Sequence, residues 1–254
     1  MQRMLLTIAY DGTAYHGWQV QKNGVTVQAT VQDGLEKLLG FRPGLTGCSR
    51  TDAGVHAREF CCHFDCEAPL PEKAFTSGLN ALLPADIAVK ACREVPAGFH
   101  ARYSATGKTY GYYILNSAIR DPFSERYSWR IARPLDTDRM NQFCKTVLGR
   151  HDFAPFSSSG RSVEDTVRTV RECAVTREGE TVKISVTADG FLYNMVRILV
   201  GTAVEVSFGR IPADAEMIFR TGDRTLAGET APPHGLFLEK VHYGEDEVKQ
   251  LARL

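Results

Sequence analysis

The residues Arg50 to Ala57, which read RTDAGVHA, place a carboxylate, that of Asp52, on a tight turn containing Gly54. Glycine adopts backbone angles that are closed to other residues, so such a turn can approach a ligand closely. The guanidinium of Arg50, two positions away, would keep the carboxylate ionised by charge pairing. An ionised carboxylate held in this way can act as a nucleophile or a base. An ordinary Asp-x-Gly surface turn explains the same residues, so the rest of the chain must decide.

A second charged residue stands in an apolar segment. The stretch GFLYNMVRILVGTAVEV, which begins at Gly190, is apolar almost all round and predicts a buried helix from about Phe191 to Val206. Arg197 is its only basic residue. A buried guanidinium needs an acceptor, and a carboxylate fits its planar fork best. We expect Arg197 to pair with Asp52, with another carboxylate or backbone carbonyls as the alternatives.

Tyr110 lies in GKTYGYYI, where strand alternation puts Lys108 and Tyr112 on the same face. A tyrosine on a strand most often fills the core, so Tyr110 by itself does not indicate a site. The GKT in this stretch is not a phosphate-binding loop, because that motif requires a glycine where Arg102 stands.

Basic and aromatic residues are interleaved between His100 and Arg133. Such a mixture suits a phosphate backbone and unstacked bases. A solvated strand and loop with some core aromatics is an equally compatible interpretation. The basic residues are Arg102, Lys108, Arg120, Arg126, Arg130 and Arg133, and the aromatic ones are Tyr103, Tyr110, Tyr112, Tyr113, Phe123, Tyr127 and Trp129.

The composition is that of a soluble globular protein. The 254 residues are 43% hydrophobic and 24% charged, and the formal net charge is +0, so a nucleic-acid partner must be met by a local patch. The chain has no membrane-length apolar run and no secretory signal, and we expect it to be cytoplasmic. Seven cysteines without regular spacing fit a reducing compartment.

Motifs for metals and common cofactors are missing from the sequence. In CCHFDC, strand alternation sends Cys61 and Cys62 to opposite faces, where both cannot ligate one ion. GxGxxG, HExxH and GxSxG do not occur. His56 follows the Asp52 turn with no linked nucleophile, which favours a positioning or packing role. We therefore expect neither a metal nor another cofactor.

Hydrophobic periodicity predicts two halves that each mix strands and helices, and so an α+β protein with two related lobes, 1–116 and 117–254. The predicted elements of the first half are a strand at 4–10, a helix from a Thr26 cap to Gly40, a strand around 60–64, a helix at 71–83 and strands at 86–95 and 106–115. Those of the second half are a helix ended by Gly149, strands near 166–176 and 182–188 joined by a turn at 177–180, the helix carrying Arg197, a short helix near 212–220 and a strand at 235–243.

Several stretches of the sequence, spread over nearly the whole chain, resemble motifs of the tRNA pseudouridine synthase A family and occur in the order of that family. The sequence departs from the family motif at Ser49, where glycine is common in the family. Serine is also a small residue. The stretches are YDGTAYHGWQVQ, TVQATVQDGLEKLL, SRTDAGVHA, FHARYSATGKTYGYYI, GRHDFAPF, TVRTV, GFLYNMVRILVG and GLFLEKVHY.

The resemblance implies α+β lobes about a central, mainly antiparallel sheet with a catalytic cleft. It also implies a homodimer that needs no metal or organic cofactor and converts uridine to pseudouridine at positions 38, 39 and 40 of the tRNA anticodon stem-loop. By position in the motifs, Asp52 is the catalytic aspartate, Tyr110 the active-site tyrosine and Arg197 the arginine that pairs with the aspartate. The candidate substrate- and RNA-binding residues are Arg50, His56, Lys108, Arg102 and Arg126.

Two other functions fit parts of the sequence. An RNA-binding module with a silent site would use the basic and aromatic residues but would need no charge such as Arg197 in an apolar helix. A carboxylate-based nucleoside hydrolase would need a second acid, which the motif around Asp52 lacks. The sequence leaves open whether Asp52 attacks the ribose or the base.

Overall fold

The computed structural model describes residues 1–67, 70–160 and 163–244. The chain forms two compact units. Unit 1 consists of Met1–Thr106 and the C-terminal segment from Phe237, and unit 2 is Gly107–Leu236. The C-terminal segment belongs to unit 1 because its strand pairs with a strand of the first half of the chain. The division of the chain into lobes at 1–116 and 117–254 remains a prediction.

Most strands and helices lie where the hydrophobic periodicity predicts them, whereas the short strands Thr46–Gly47, Trp129–Arg130 and Gly149–Asp152 were not predicted. The strands are β1 (Gln2–Tyr10), β2 (Thr46–Gly47), β3 (His56–Cys66), β4 (Ile87–Val95), β5 (Ala105–Leu115), β6 (Trp129–Arg130), β7 (Gly149–Asp152), β8 (Val167–Glu178), β9 (Thr181–Ala188) and β10 (Leu236–Tyr243). The helices are α1 (Val27–Leu39), α2 (Glu72–Leu82), α3 (Thr137–Thr146), α4 (Met195–Ser207) and α5 (Glu216–Thr221).

In unit 1, β1 lies between β3 and β4 and runs antiparallel to both. β2 extends the antiparallel pairing of β3, whereas β10 pairs with β3 in parallel. Leu6 on β1 stands opposite Cys62 on β3 and is fully buried. The apolar face of α1, Val27, Val31 and Leu35, is fully buried as well. The alternation and the helical stripe read from the sequence therefore form the core of this unit.

In unit 2, β9 lies between β5 and β8 and is antiparallel to both. β7 pairs with β8 and is also antiparallel to it. β6 pairs with β5 in parallel. Tyr112 and Ile114 of β5 are fully buried, as are Phe143 of α3 and Ile198 of α4. Because strand pairing is mainly antiparallel in both units, the predicted α+β class with a mainly antiparallel sheet is confirmed.

The helix that carries Arg197 begins later than predicted. It starts at Met195 and not near Phe191, because Asn194 has a left-handed backbone with φ of 61°, which a helix cannot include. The helix expected to end at Gly149 stops at Thr146, and Gly149 instead begins β7.

Two smaller differences lie at chain reversals. The short helix expected near 212–220 is α5, which starts at Glu216. β8 continues to Glu178, two residues past its predicted end, because the hairpin turn is tight and centres on Gly179 with φ of 57°. The other predicted caps are confirmed: the Thr26 side chain accepts from Ala29, and Gly40 ends α1 with φ of 78°.

Within the described ranges, none of the helices is long and apolar enough to cross a membrane. The same part of the chain contains no cluster of His, Cys, Asp and Glu side chains that could hold a metal ion. Cys61 and Cys62 are both buried.

His63 on β3 links this strand to the loop that follows β4. Its ring is buried, and its Nδ1 accepts a hydrogen bond from the Ala101 N–H at 3.1 Å. Burial, followed by the charges of Arg3 and His100, lowers the pKa of His63 to about 4, although Asp65 acts in the opposite direction. The folded protein therefore holds His63 neutral at a pH where an exposed histidine takes up a proton.

This shift predicts a pH dependence of stability. The unfolded chain binds a proton at His63 near pH 6.5 and the folded chain near pH 4, so the His63 contribution to the unfolding free energy is complete above about pH 6.5 and is lost as the pH falls towards about 4. In His63→Asn, an amide oxygen can replace the Nδ1 acceptor without titrating. We expect urea unfolding of the wild type to lose more stability than His63→Asn between these pH values. Parallel losses in the two proteins would contradict this.

Candidate active site

Asp52 lies on a tight turn of unit 1, which we call the Asp52 turn (Asp52–Val55). The Val55 N–H donates to the Asp52 carbonyl at 3.1 Å, and Gly54 has φ of 77°. The predicted glycine turn is therefore present, and it leads directly into β3. Asp52 is half-buried, so its carboxylate is neither in the core nor on an open surface. Arg50 beside it is exposed.

The segment Gly12–Trp18, which we call the clamp segment, lies against the Asp52 turn and joins it by backbone hydrogen bonds. The Trp18 N–H donates to the Thr51 carbonyl at 3.2 Å, and the Gly54 N–H donates to the Tyr15 carbonyl at 3.3 Å. These bonds hold both ends of the turn. The position of Asp52 is thus set by backbone groups, which have less freedom than side chains.

Two glycines make this approach possible. A Cβ atom at Gly12 would overlap the Val55 carbonyl, and one at Gly17 would overlap the Thr51 carbonyl. Gly17 also has φ of 77°, a left-handed conformation that other residues rarely adopt. Any side chain at either position would push the clamp segment away from the turn.

The clamp segment is itself anchored at several points in unit 1. The Tyr15 hydroxyl donates to Asp86 at 2.6 Å. The indole of Trp18 packs 4.1 Å from the Phe60 ring on β3. The first turn of α1 bonds back to it, because the Val27 N–H donates to the Gly17 carbonyl at 3.2 Å. These contacts make the clamp segment a firm support for the Asp52 turn.

His56, at the start of β3, also supports this arrangement. Its ring is 1% exposed and stacks on Phe237 with the centroids 4.6 Å apart. Its Nδ1 accepts from the Gly12 N–H at 3.0 Å, so this nitrogen carries no proton in that bond. Asp11 Oδ1 is 3.1 Å from the same nitrogen and could accept from it only if the ring took up a proton there, at the expense of the Gly12 bond. The geometry favours the positioning role expected for His56.

Tyr110 and Lys108 lie on β5 in unit 2. Tyr110 is 5% exposed and stands opposite Val186 on β9, and the ring of Phe191 meets its ring edge-on at 4.9 Å. Lys108 is 8% exposed and stands opposite Ala188. A lysine this buried is unusual and needs a compensating partner or function. Both side chains are thus held by the sheet and not displayed on the outer surface.

Arg197 occupies the first turn of α4 and is half-buried, less deeply than predicted. Its Nε donates to the Ala231 carbonyl at 2.7 Å, and Nη1 donates to Asn194 Oδ1 at 2.9 Å. The Ala231 N–H returns a bond to the Arg197 carbonyl at 3.1 Å. The need for an acceptor is confirmed, and a backbone carbonyl supplies one. The predicted partner, Asp52, lies in unit 1, and that pairing stays a prediction.

Asn194 fixes the Arg197 guanidinium from a strained position. Its left-handed backbone turns the chain into α4, and its Nδ2 donates to Ser158 Oγ at 2.9 Å while its Oδ1 accepts from Arg197. Asn194 is not among the site residues predicted from the sequence. The available signal was its type, because asparagine adopts the left-handed conformation more readily than other residues with a side chain.

The segment that carries Ala231 presses closely on α4. A Cβ atom at Gly201 would overlap the Glu229 carbonyl, and the Gly228 N–H donates to Thr202 Oγ1 at 2.9 Å. One residue beyond Ala231, the Pro232 carbonyl accepts from the Tyr112 hydroxyl at 2.8 Å. Burial raises the pKa of Tyr112, and the nearby positive charge of Arg197 acts in the opposite direction. Arg197 therefore lies close to the face of β5 that carries Tyr110.

Arg102 and Arg126 are exposed. The Arg102 guanidinium lies 5.7 Å from the centre of the Tyr103 ring in unit 1, and the Arg126 guanidinium lies 5.7 Å from that of Tyr127 in unit 2. Each is an arginine paired with a neighbouring aromatic ring at the surface, as an RNA contact would require.

Comparison with known proteins gives the family. The model of a family described as tRNA pseudouridine synthase matches residues 6–104 and 143–244. The chain belongs to this family. The matched ranges contain Asp52 and Arg197, whereas Tyr110 falls between them.

Similar curated relatives carry the name tRNA pseudouridine synthase A. The protein of Thermoanaerobacter pseudethanolicus is 43% identical over 244 residues, which is 96% of this chain and 100% of the relative. That of Geobacter sp. strain M21 is 44% identical over 247 residues, with the same two coverages. A Clostridium perfringens protein named tRNA pseudouridine synthase A 2 is 43% identical over 244 residues, again with these coverages. The family resemblance in the sequence is confirmed.

The backbone contact between the clamp segment and the Asp52 turn predicts a large difference between two glycine substitutions. Gly17 and Gly40 have nearly the same φ, 77° and 78°, but only Gly17 has a backbone neighbour in the way of a Cβ. Gly40→Ala should lower the unfolding free energy by about 1 kcal/mol through left-handed strain, and Gly17→Ala by at least about 2 kcal/mol more through overlap. Urea unfolding measures both. Equal losses would show that the contact does not constrain the turn.

Proposed function

We propose that this chain converts uridine to pseudouridine in tRNA and that Asp52 is the catalytic carboxylate. The observation that carries the proposal is the Asp52 turn, a half-buried carboxylate held by backbone bonds and glycine contacts in a member of the tRNA pseudouridine synthase family. Such fixed placement suits a group that must meet a reacting atom at one position.

The reaction is an isomerisation and needs no co-reactant. The bond between N1 of uracil and C1′ of ribose breaks, and a bond between C5 and C1′ forms. C5 loses its hydrogen as a proton and N1 gains one, so the composition of the nucleoside is unchanged. A carboxylate can carry such a reaction covalently by attacking either the ribose or the base. Asp52 is the proposed nucleophile for either route.

A uridine in a folded tRNA must leave its stack to be reached. Enzymes that act on a base turn it out of the helix and hold it against aromatic or apolar side chains. Tyr110 is the proposed side chain against the uracil, and its phenolate oxygen, once the hydroxyl proton has been given up, is the proposed acceptor of the C5 proton. Its ring is well fixed for this, because β9 and Phe191 hold it in place.

Arg197 and Lys108 are the proposed sources of fixed positive charge. The Arg197 guanidinium cannot turn freely, because Ala231 and Asn194 accept from two of its nitrogens. Arginine also stays charged at any physiological pH, so it can stabilise a carboxylate or a displaced base throughout the reaction. The buried Lys108 ammonium, two residues before Tyr110 on β5, is proposed to contact the substrate.

The family resemblance gives the finer substrate assignment. We propose that the modified uridines are those at positions 38, 39 and 40 of the anticodon stem-loop and that the reaction takes place in the cytoplasm. Arg50, Arg102 and Arg126 are the proposed phosphate contacts, because all three are exposed. His56 supports the Asp52 turn from within, with its ring almost fully buried.

We also propose that the enzyme is a homodimer. A formal net charge of +0 gives one chain little general attraction for tRNA, so two chains together would provide a larger basic surface. Light scattering should give twice the chain mass, and tRNA affinity should fall when the protein is diluted to monomer. A monomer that binds tRNA as tightly as the native assembly would contradict this proposal.

The test of the catalytic proposal is pseudouridine formation on an unmodified tRNA transcript with uridines at positions 38 to 40. Carbodiimide labelling followed by primer extension locates each pseudouridine. Asp52→Asn keeps the size of the side chain but removes its charge, and we expect the rate to fall by about 10³-fold or more, as when a nucleophile is lost.

Asp33→Asn is the matched control, because Asp33 is an exposed carboxylate on α1 that pairs with Arg42 and with none of the proposed site residues. It should keep the wild-type rate. Product elsewhere in the tRNA would overturn the substrate assignment, and an active Asp52→Asn would overturn the role of Asp52.

A further inference from the structure

Tyr103 presents an aromatic ring to solvent from a loop of unit 1. Its side chain is 76% exposed, and the loop joins β4 to β5. A single exposed aromatic is common and has no meaning by itself. The surroundings of Tyr103 make it different, because the structure holds this ring in place and leaves a positive charge beside it.

His100 supports the Tyr103 ring directly. The two ring centroids are 4.3 Å apart with an angle of 32° between the planes. His100 Nδ1 accepts from the N–H groups of both Arg102 and Tyr103, at 3.1 and 3.2 Å. Ser104 closes the loop, because its N–H donates to the His100 carbonyl and its Oγ accepts from the His100 N–H. The aromatic ring is thus fixed by its own loop before any ligand arrives.

The support continues into the core. The His63 ring meets the His100 ring edge-on at 5.0 Å, and His63 is buried on β3. Its Nδ1 accepts the Ala101 N–H, which lies in the same loop. The series His63, His100, Tyr103 therefore runs from the sheet to the surface. A ring held in this way loses little conformational entropy on binding, which favours affinity.

Arg102 gives the surface a positive charge. Its guanidinium lies 5.7 Å from the Tyr103 ring centre and forms no ion pair within residues 1–67, 70–160 and 163–244. Phe41 and Arg42 provide a contrast in the same unit. Phe41 is also exposed, at 42%, but Arg42 is neutralised by ion pairs with Asp33 and Glu36. Of these two surfaces, the Arg102 surface is therefore the one whose exposed ring lies beside a cation without an ion pair in the described residues.

We propose that His100, Arg102 and Tyr103 form a stacking platform for an unpaired base of tRNA, with Arg102 at the adjacent phosphate. The inference rests on the proposed function in taking tRNA as the partner, and it adds a contact away from the reacting uridine. Unpaired RNA bases stack on exposed aromatic rings, and arginine binds the phosphate backbone. A protein partner fits less well, because an apolar patch needs several exposed hydrophobic residues, and in the loop that carries Tyr103 the other large hydrophobic residue, Phe99, is buried.

Affinity measurements on the full-length protein test the platform. The probe is an unmodified tRNA transcript, and fluorescence anisotropy gives the Kd. Base stacking on an aromatic side chain predicts that Tyr103→Ala and Tyr103→Leu each weaken binding by at least about fivefold, whereas Tyr103→Phe stays within about twofold of the wild type. Phe41→Ala is the matched control and should bind as the wild type does. Unchanged affinity in Tyr103→Leu would overturn the proposal.

Photo-crosslinking identifies what the ring contacts. Tyr103→p-azidophenylalanine keeps an aromatic ring at the position, and primer extension locates the crosslinked nucleotide on the tRNA. A crosslink to an unpaired nucleotide supports the platform. A crosslink to base-paired RNA, to a second copy of the chain or to nothing overturns it. Pseudouridine formation by the wild-type protein is measured in parallel, so a failure of the proposed function is seen separately from a failure of the platform.

Discussion

The backbone contact between the clamp segment and the Asp52 turn is the constraint on which the proposed chemistry depends. Hydrogen bonds from Trp18 and Gly54 tie the two segments together, and Gly12 and Gly17 allow their backbones to touch. The His56 ring accepts a hydrogen bond from Gly12 of the clamp segment, and Tyr15 and Trp18 contact other parts of unit 1. A carboxylate placed by so many backbone groups cannot move far, which is what a nucleophile that meets one atom of a large RNA requires.

Unit 2 fixes its proposed site residues by a different physical means. Tyr110 and Lys108 are placed by the pleat of β5 and its pairing with β9. Arg197 is placed by the left-handed turn at Asn194 and by the carbonyl of Ala231, which the segment packed on α4 presents. Strain at Asn194 is offset by the hydrogen bonds of its side chain.

Much of the fold follows from local patterns. Alternation marked the strands, and the Thr26 cap and Gly40 marked the limits of α1, because these signals depend on neighbouring residues only. The predicted start of α4 was wrong, since hydrophobic periodicity does not reveal that Asn194 has a left-handed backbone. The family motifs supplied the candidate residues. The support of Asp52 by the clamp segment and the Ala231 partner of Arg197 were beyond prediction, because both join residues far apart in the chain.

The central claim is that Asp52 is the group that starts the exchange of the uracil bond from N1 to C5. Since C5 loses its hydrogen in that exchange, tRNA that carries tritium at C5 of uridine releases the label to water as pseudouridine forms. Release should be measured in a single turnover with excess wild-type protein and with excess Asp52→Asn. We expect release by the wild type and almost none by Asp52→Asn at concentrations where both bind the tRNA. Release by Asp52→Asn at the wild-type rate would contradict it.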